Sequence, residues 1–355
     1  MDVTDKSTGV RAGEELDPER VAAFLHDSVP GLSGELAVSQ FPSGYSNLTY
    51  LVTMGDRQLV LRRPPFGRKA KTAHDMGREY RILKALKPVF PYCPEPLVYC
   101  EDESVLGCSF YVMERIEGII LRRDLPIGLT FSRDQMRSLC ENLLDVHVQL
   151  HSVDYRSVGL DGLGKPEGYV KRQVDGWSER YRAARTEDAP TFEEVMKWLQ
   201  DEMRPDFPRP AVIHNDFKLD NVVLDPADPL KIIGVLDWEM ATIGDPLMDL
   251  GSSLAYWVQG DDPEERQLIR TGPTNLPGAL TRLEMVARYK ERAGVDSEDF
   301  HFYLCFGIFR LAVIAQQIYY RFFHGQTKDP RFQGLVGSVH NLERAARSIM
   351  RGEAL

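Results

Sequence analysis

Apolar residues alternate with polar ones along the first third of the chain and recur every three to four positions through most of the rest. The alternating part predicts strands at Leu36–Phe41, Thr49–Thr53 and Gln58–Leu61. A turn at Met54-Gly55-Asp56-Arg57 joins the last two into a hairpin within an antiparallel meander. Before them, Asp17-Pro18 predicts a short helix to His26, with Asp as N-cap and Pro in the first position, while residues 1–15 are expected to be disordered. A basic run from Arg62 to Lys71 leads into a helix over Asp75–Leu86, whose apolar stripe is Met76, Tyr80, Leu83 and Leu86. Glu79 falls inside that stripe. A carboxylate on a core face needs a cation, and Arg62, at the end of a neighbouring strand, is the natural partner. Leu97–Cys100 and Ser109–Glu114 add two strands before the β-rich part ends at Gly118.

Beyond that point the period becomes helical. Ser132 and Gln135 have capping-box spacing and open a helix to His151. In this helix His147 and His151, four apart in HVQLH, read as core histidines because the glutamate a zinc protease needs is missing. Residues 155–175 read as loop, followed by helices at Gly176–Ala184 and at Thr191–Met203, the second capped by Thr191. The stretch Val212–Asp249 then breaks the helical pattern with three short apolar strands, Ala211–Ile213, Asn221–Leu224 and Lys231–Leu236, whose polar residues sit at their ends. His214, Asp216 and Asn221 fall between the first two, and Asp237 follows the third, which predicts three oxygen-bearing groups on adjacent strand ends. Asp245-Pro246 caps the next helix, residues 260–278 read as a polar loop, and helices at Leu280–Ala293, Ser297–Phe323 and Arg331–Arg351 finish the chain. The expected fold is α+β and bilobal. It divides into a tail and helix over 1–32, a small antiparallel β-lobe with one main helix over 33–116, and a larger, mostly helical lobe over 117–355.

Composition narrows the function classes. The 355 residues carry 43 basic and 53 acidic side chains, a net charge of −10 that argues against a nucleic-acid partner. Five cysteines without a CxxC pair point to a reducing cytoplasm and to no disulfide-linked partner. The N-terminal segment is charged and lacks the apolar core of a signal peptide. The most hydrophobic stretch, His301–Phe323, contains Arg310, Gln316 and Gln317, so it reads as a buried helix and not as a membrane span.

Three groups of residues carry candidate chemistry. Asp216, Asn221 and Asp237 supply what phosphoryl transfer asks of a protein: one carboxylate to take the proton of an attacking hydroxyl, and an amide with a carboxylate to hold magnesium on the phosphates. The loop Ser43-Gly44-Tyr45-Ser46-Asn47 can fold its backbone N–H groups around a phosphate, or it is a plain turn between strands. Arg62 and Glu79 form a strand–helix pair of the kind that holds the phosphates of ATP in kinase-like sites, or Glu79 is a surface residue on a slightly rotated helix.

With the spacing H-x-D-x4-N at His214, Asp216 and Asn221, an apolar-Asp-Trp at Asp237, and G-D-P-x3-D at Asp245 and Asp249, the chain resembles the aminoglycoside phosphotransferase and choline kinase-like family from about Phe41 to Gly325. The resemblance implies a protein-kinase-like fold and an ATP- and Mg2+-dependent transfer to a small-molecule hydroxyl acceptor. By the same resemblance Asp216 is the base, Asn221 and Asp237 are the metal ligands, and Asp249 braces the catalytic loop. Ser43–Asn47 would cover the nucleotide phosphates, and Glu114 with Ile116 would present backbone groups to adenine. LRRPP, MGREYRILKAL and FGIFRLAVIAQQIYYRFFHGQ are similar to the kinase domain fused ahead of an acyl-CoA dehydrogenase in certain eukaryotic proteins. That likeness makes a hydroxyacyl-CoA a candidate acceptor. His214 and Asp245 would support the site, Asp245 as the cap of its helix. Lys218 would neutralise the transferred phosphate, or merely pair with Asp220. Arg62 stands where most of the broad family carries Lys, a departure that keeps open a catalytically impaired nucleotide-binding regulator. An aminoglycoside 3′-type antibiotic kinase is the other alternative.

Overall fold

The computed structural model describes residues 3–42, 47–65, 75–296 and 299–353. In chain order its elements are α1 (Pro18–Ser28), β1 (Leu36–Gln40), β2 (Leu48–Met54), β3 (Arg57–Arg63), α2 (Met76–Leu86), β4 (Pro96–Cys100), α3 (Glu103–Leu106) and β5 (Phe110–Glu114). There follow α4 (Arg133–His151), α5 (Tyr169–Ala184), α6 (Glu193–Asp201), β6 (Ala211–Ile213), β7 (Val222–Leu224), β8 (Ile232–Val235) and β9 (Thr242–Gly244). The chain ends with α7 (Pro246–Ala255), α8 (Glu264–Leu268), α9 (Arg282–Ala293), α10 (His301–Phe323) and α11 (Leu335–Met350). Two compact units result: Met1–Ile120 with Val222–Ala241, and Leu121–Asn221 with Thr242–Leu355.

In the first unit the strands form one antiparallel sheet in the order β1-β2-β3-β5-β4. Alternation along β3 puts Leu59 and Leu61 into an apolar core with Tyr50, Val52, Phe110 and Val112, which α1 closes through Val21 and Leu25. Arg62 therefore projects from the opposite face, where α2 buries Glu79, Ile82 and Leu83. The hairpin β7–β8 joins this unit through paired backbone bonds between Ile119 and Leu224 and a bond from Val235 N–H to Tyr92 O. Gly118 makes that approach possible, since a Cβ there would lie 2.3 Å from Leu224 O.

In the second unit, α10 is the central helix. Of its 23 residues more than half are buried, including Phe302, Leu304, Phe309 and Val313, among α5, α7 and α11. It meets α7 backbone to backbone: a Cβ on Gly251 would lie 2.2 Å from Tyr303 O, and one on Gly307 would lie 2.2 Å from Gly251 O.

Several expectations change. Residues 5–14 are ordered along β1: Thr8 pairs with Gln40, and the Tyr50 hydroxyl donates to Glu14 O. Of the three expected short strands, the second and third pair as β7 and β8, whereas the first, β6, pairs with the unforeseen β9 in a separate two-stranded sheet. Helix α5 starts at Tyr169, well before Gly176, on an apolar stripe of Val170, Val174, Trp177 and Tyr181 that the glycine interrupts only in appearance. Thr191 caps nothing. Phe192 precedes α6 with φ +56° and a fully buried ring, so packing and not a side-chain cap starts that helix.

The glycine contact yields a stability prediction whose sign runs against helix propensity. Gly→Ala inside a helix gains about 1 kcal/mol from propensity, but overpacking against an unyielding backbone costs roughly 1–3 kcal/mol or more. With a Cβ at 2.2 Å from a backbone oxygen the cost lies at the upper end, so Gly307→Ala is expected to lower the unfolding free energy by up to about 2 kcal/mol in urea denaturation. An unchanged or raised midpoint would show that α7 and α10 can separate at no cost.

Candidate active site

Within the first unit, Arg62 is 7% exposed, and its guanidinium meets three carboxylates. Nη2 donates to Asp237 Oδ1 at 2.9 Å, Nε lies 3.5 Å from Glu79 Oε1, and Nη2 lies 3.7 Å from Glu239 Oε2. Burial works against the charge on Arg62, but Glu79, Asp237 and Glu239 outweigh it and hold its pKa well above the usual value. Glu79, 2% exposed, is pushed upward by burial; Arg62 opposes that shift and Asp237 adds to it. Among the described residues, three carboxylates thus lie within 4 Å of this one guanidinium. Asn47 Nδ2 donates to Glu239 Oε2 at 2.7 Å, and Arg78 on α2 reaches the backbone oxygens of Glu239 and Ala241, so the segment after β8 is tied to sheet and helix alike. Asp237 itself adopts φ +66°, a left-handed conformation that an Asp tolerates better than a bulky residue.

In the second unit, Asp216 lies in the loop that follows β6. Asn221 Nδ2 donates to Asp216 Oδ2 and to its backbone oxygen, both at 2.8 Å, which leaves the Asn221 Oδ1 as that amide's ligand atom. Lys218 Nζ lies 3.0 Å from Asp216 Oδ2 and 3.8 Å from Asp220 Oδ1, above the Tyr256 ring at 4.5 Å from its centroid. Burial opposes the charge on Lys218, yet Tyr256, Asp216 and Asp220 raise its pKa above the usual lysine value, so it is a fixed cation. Burial also pushes Asp220 up to about 6, against the pull of Lys218.

Asp249 on α7 holds this loop. Its Oδ2 accepts from His214 N at 2.8 Å and from the Nε2 atoms of His147 and His151 at 3.0 Å each, and its Oδ1 accepts from Asn215 N at 2.7 Å. Those bonds fix Asn215 at φ +64° immediately before Asp216. His214 is fully buried, and its Nδ1 accepts from Asp216 N at 3.2 Å. Asp245 caps α7 through bonds to Leu247 N and Met248 N.

The expected residues thus gather into two sets, Asn47, Arg62, Glu79 and Asp237 in one unit and His214, Asp216, Lys218, Asn221, Asp245 and Asp249 in the other. Ser43, Gly44, Tyr45 and Ser46 lie outside the described residues, as does the basic run from 66 onward. Glu114 N–H is engaged with Glu95 O at the end of β5, and Ile116 packs its side chain over Gly234. Sequence reasoning passed over Glu239, which lies in the single 3-10 turn Trp238–Met240 that directly follows Asp237. It also gave His147 and His151 no role toward Asp249, although their i,i+4 spacing on a core face was visible.

A sheet unit with a buried Arg–Glu pair and a helical unit with a braced Asp–Lys–Asn loop are the parts of a kinase-like α+β fold. The model of the phosphotransferase enzyme family matches residues 37–284. Acyl-CoA dehydrogenase family member 11 of Gallus gallus is 34% identical over 336 residues, covering 92% of this chain and 42% of that protein. A crystal structure of a candidate aminoglycoside phosphotransferase from Ralstonia eutropha JMP134 matches with a TM-score of 0.80 at 29% identity, over 95% of this chain and 99% of its own. Choline kinase of Cryptosporidium parvum Iowa II gives 0.64 at 12% identity, over 95% and 98%, a likeness of fold alone. The chain belongs to the phosphotransferase enzyme family, and it spans less than half the length of the acyl-CoA dehydrogenase relative.

The Asp249 cluster predicts a pH effect. Burial, reinforced by His151 and opposed by Asp249, lowers the pKa of His147 to about 4, against an ordinary value of about 6.5. The folded state therefore favours the neutral ring. Its stabilising contribution is complete above pH ~6.5 and is lost as pH falls toward 4, by on the order of 3 kcal/mol. Asp220 and Asp245, both raised to about 6, act in the opposite sense, so the measurement is a difference. The unfolding free energy of the wild type minus that of His147→Gln is expected to rise from pH 4 to 6.5. A difference independent of pH would mean that His147 is not held neutral.

Proposed function

We propose that this chain is an ATP- and Mg2+-dependent kinase that phosphorylates a hydroxyl of a small molecule. The observation that carries the reading is Asp216, 17% exposed, with Oδ2 held between Asn221 Nδ2 and Lys218 Nζ on a loop pinned by Asp249. A carboxylate so placed is oriented before substrate arrives, as positioning-dominated phosphoryl transfer requires. Asp216 accepts the proton of the acceptor hydroxyl as its oxygen attacks. Lys218 stays cationic and meets the negative charge of the phosphoryl group in flight. Arg62 contributes a guanidinium to the nucleotide phosphates while paired with Glu79.

Asn221 and Asp237 are the proposed magnesium ligands. An all-oxygen donor set suits a hard cation, and the excess of acids about Arg62 fits a further positive charge. When bound, the ion neutralises the nucleotide's phosphates and the charge that develops on them.

For the acceptor, we propose a hydroxyacyl-CoA, or a related metabolite bearing an alcohol. Support comes from the relative named as an acyl-CoA dehydrogenase, matched along 92% of this chain. A second reading rests on one contact. Because Arg62 occupies Asp237 Oδ1 at 2.9 Å, a nucleotide-binding regulator without transferase activity would look the same around this arginine.

The deciding experiment is a coupled ADP-release screen over hydroxyacyl-CoAs, aminoglycosides and amino alcohols. Asp216→Asn is expected to lower kcat by roughly 10²–10⁴-fold with folding intact. Lys218→Ala should lower kcat more than it raises the nucleotide KM, and EDTA should abolish turnover until Mg2+ is restored. Nucleotide binding without turnover on any acceptor would select the regulator. Turnover confined to aminoglycosides would reject the acyl-CoA acceptor.

A further inference from the structure

The second unit contains a cavity of about 860 Å³ that none of residues 214–221 lines. Its walls come from residues 259–266, the start of α9, the first turns of α10 and the end of α11. Leu304, Ile308 and Ala345 supply apolar surface. The volume is that of a small-molecule site.

Among the described residues, the arginines on the wall are ion-paired, with one exception. Arg282 grips Asp262 with two bonds of 2.6 and 2.8 Å, Arg344 lies 3.6 Å from Glu265, and Arg351 lies 2.6 Å from Glu353. Arg266 is 8% exposed and makes no ion pair among the described residues. Its Nη1 has no hydrogen-bond partner, and its Nη2 reaches only Ala255 O at 3.4 Å. Burial, reinforced by Arg282 and opposed by Asp262, pushes its pKa down to about 10, so it still carries its charge at neutral pH. Buried guanidinium groups are ordinarily paired, and leaving one unpaired is costly. An anion entering the cavity would relieve that cost. Its charge is limited by Asp261, Asp262, Glu265 and Glu353, which also line the space and would repel a dianion more than a monoanion.

We propose that this cavity is a second ligand site, separate from the Asp216 loop, that takes a small organic monocarboxylate with an apolar body and pairs its carboxylate with Arg266. The apolar part lies against Leu304, Ile308 and Ala345. Phosphoryl transfer is not needed for this binding, so the site stands or falls independently of the proposed reaction.

Hexanoate is the probe, titrated calorimetrically into the full chain at pH 7 beside hexylamine, hexanol and hexyl phosphate. Saturable one-to-one binding of hexanoate is expected, with the other three at least tenfold weaker. Arg266→Met should weaken hexanoate by about tenfold or more, the scale of one charge-assisted hydrogen bond. Its Tm should be unchanged or higher, since an unpaired buried charge is removed. Ala345→Trp, which fills the cavity, should also abolish binding, and Asp216→Asn should leave it unchanged. The proposal is overturned by no saturable binding of hexanoate, by equal affinity in Arg266→Met or Ala345→Trp, or by tighter binding of hexyl phosphate or hexylamine. Binding lost in Asp216→Asn would place the ligand at the catalytic loop and overturn it equally.

Discussion

A carboxylate with no solvent contact and no ammonium or guanidinium partner should be protonated or absent, yet Asp249, which pairs with no lysine or arginine among the described residues, is fully buried and holds its pKa well below the usual range. Burial pushes it upward, but donors on two oxygens push harder: two imidazoles and two successive backbone N–H groups. A carboxylate that accepts several such bonds is stabilised in its charged form without a formal countercharge. The arrangement is reciprocal. Asp249 needs His214 N and Asn215 N for its own solvation, so it dictates the backbone there, including the left-handed Asn215, and thereby the direction in which Asp216 leaves the chain.

The brace is only as rigid as the helix that carries it. Asp245 fixes the start of α7, and the paired close approaches at Gly251 and Gly307 seat its middle against α10 with no side chain between the backbones. On the other side, His147 stacks on Phe217 at 4.1 Å, and His151 Nδ1 bonds the Tyr289 hydroxyl at 2.7 Å. Cap, helix contact and histidine pair are distant in sequence, but each limits the same loop. In the proposed reaction small displacements there would matter, because catalysis by positioning degrades steeply with misplacement.

Much of this could be read from residue order. The strands of the sheet, the α2 stripe with Glu79 inside it, and the α7 cap at Asp245-Pro246 are local signals, and local signals survive folding. The pairing of Arg62 with Glu79 was legible for a different reason: a charge on an apolar face advertises a missing partner. Pairings between short strands were not legible. Three residues of β6 carry too little pattern to choose between β7 and β9, and backbone approach at Gly118 made the choice for β7 and β8 from outside the hairpin. Nor could His147 and His151 be assigned to Asp249, about a hundred positions away, since a core histidine looks the same in sequence whatever accepts its proton.

Arg62 poses the sharper physical question, because an arginine is not a longer lysine. A lysine ammonium concentrates its charge at one point and would have to choose among Glu79, Asp237 and Glu239. The planar guanidinium reaches all three from one buried position, with separate nitrogens for the helix acid and for the acids after β8. What is gained is rigidity: β3, α2 and the segment after β8 share a single cation, and Asn47 and Arg78 reinforce the same segment from the sheet and the helix. The accompanying constraint falls on Asp237, one oxygen of which is already engaged. Any role for Asp237 toward a metal must then use its other oxygen or displace the guanidinium toward phosphate. In the second case, the proposed nucleotide binding would be coupled to release of Asp237.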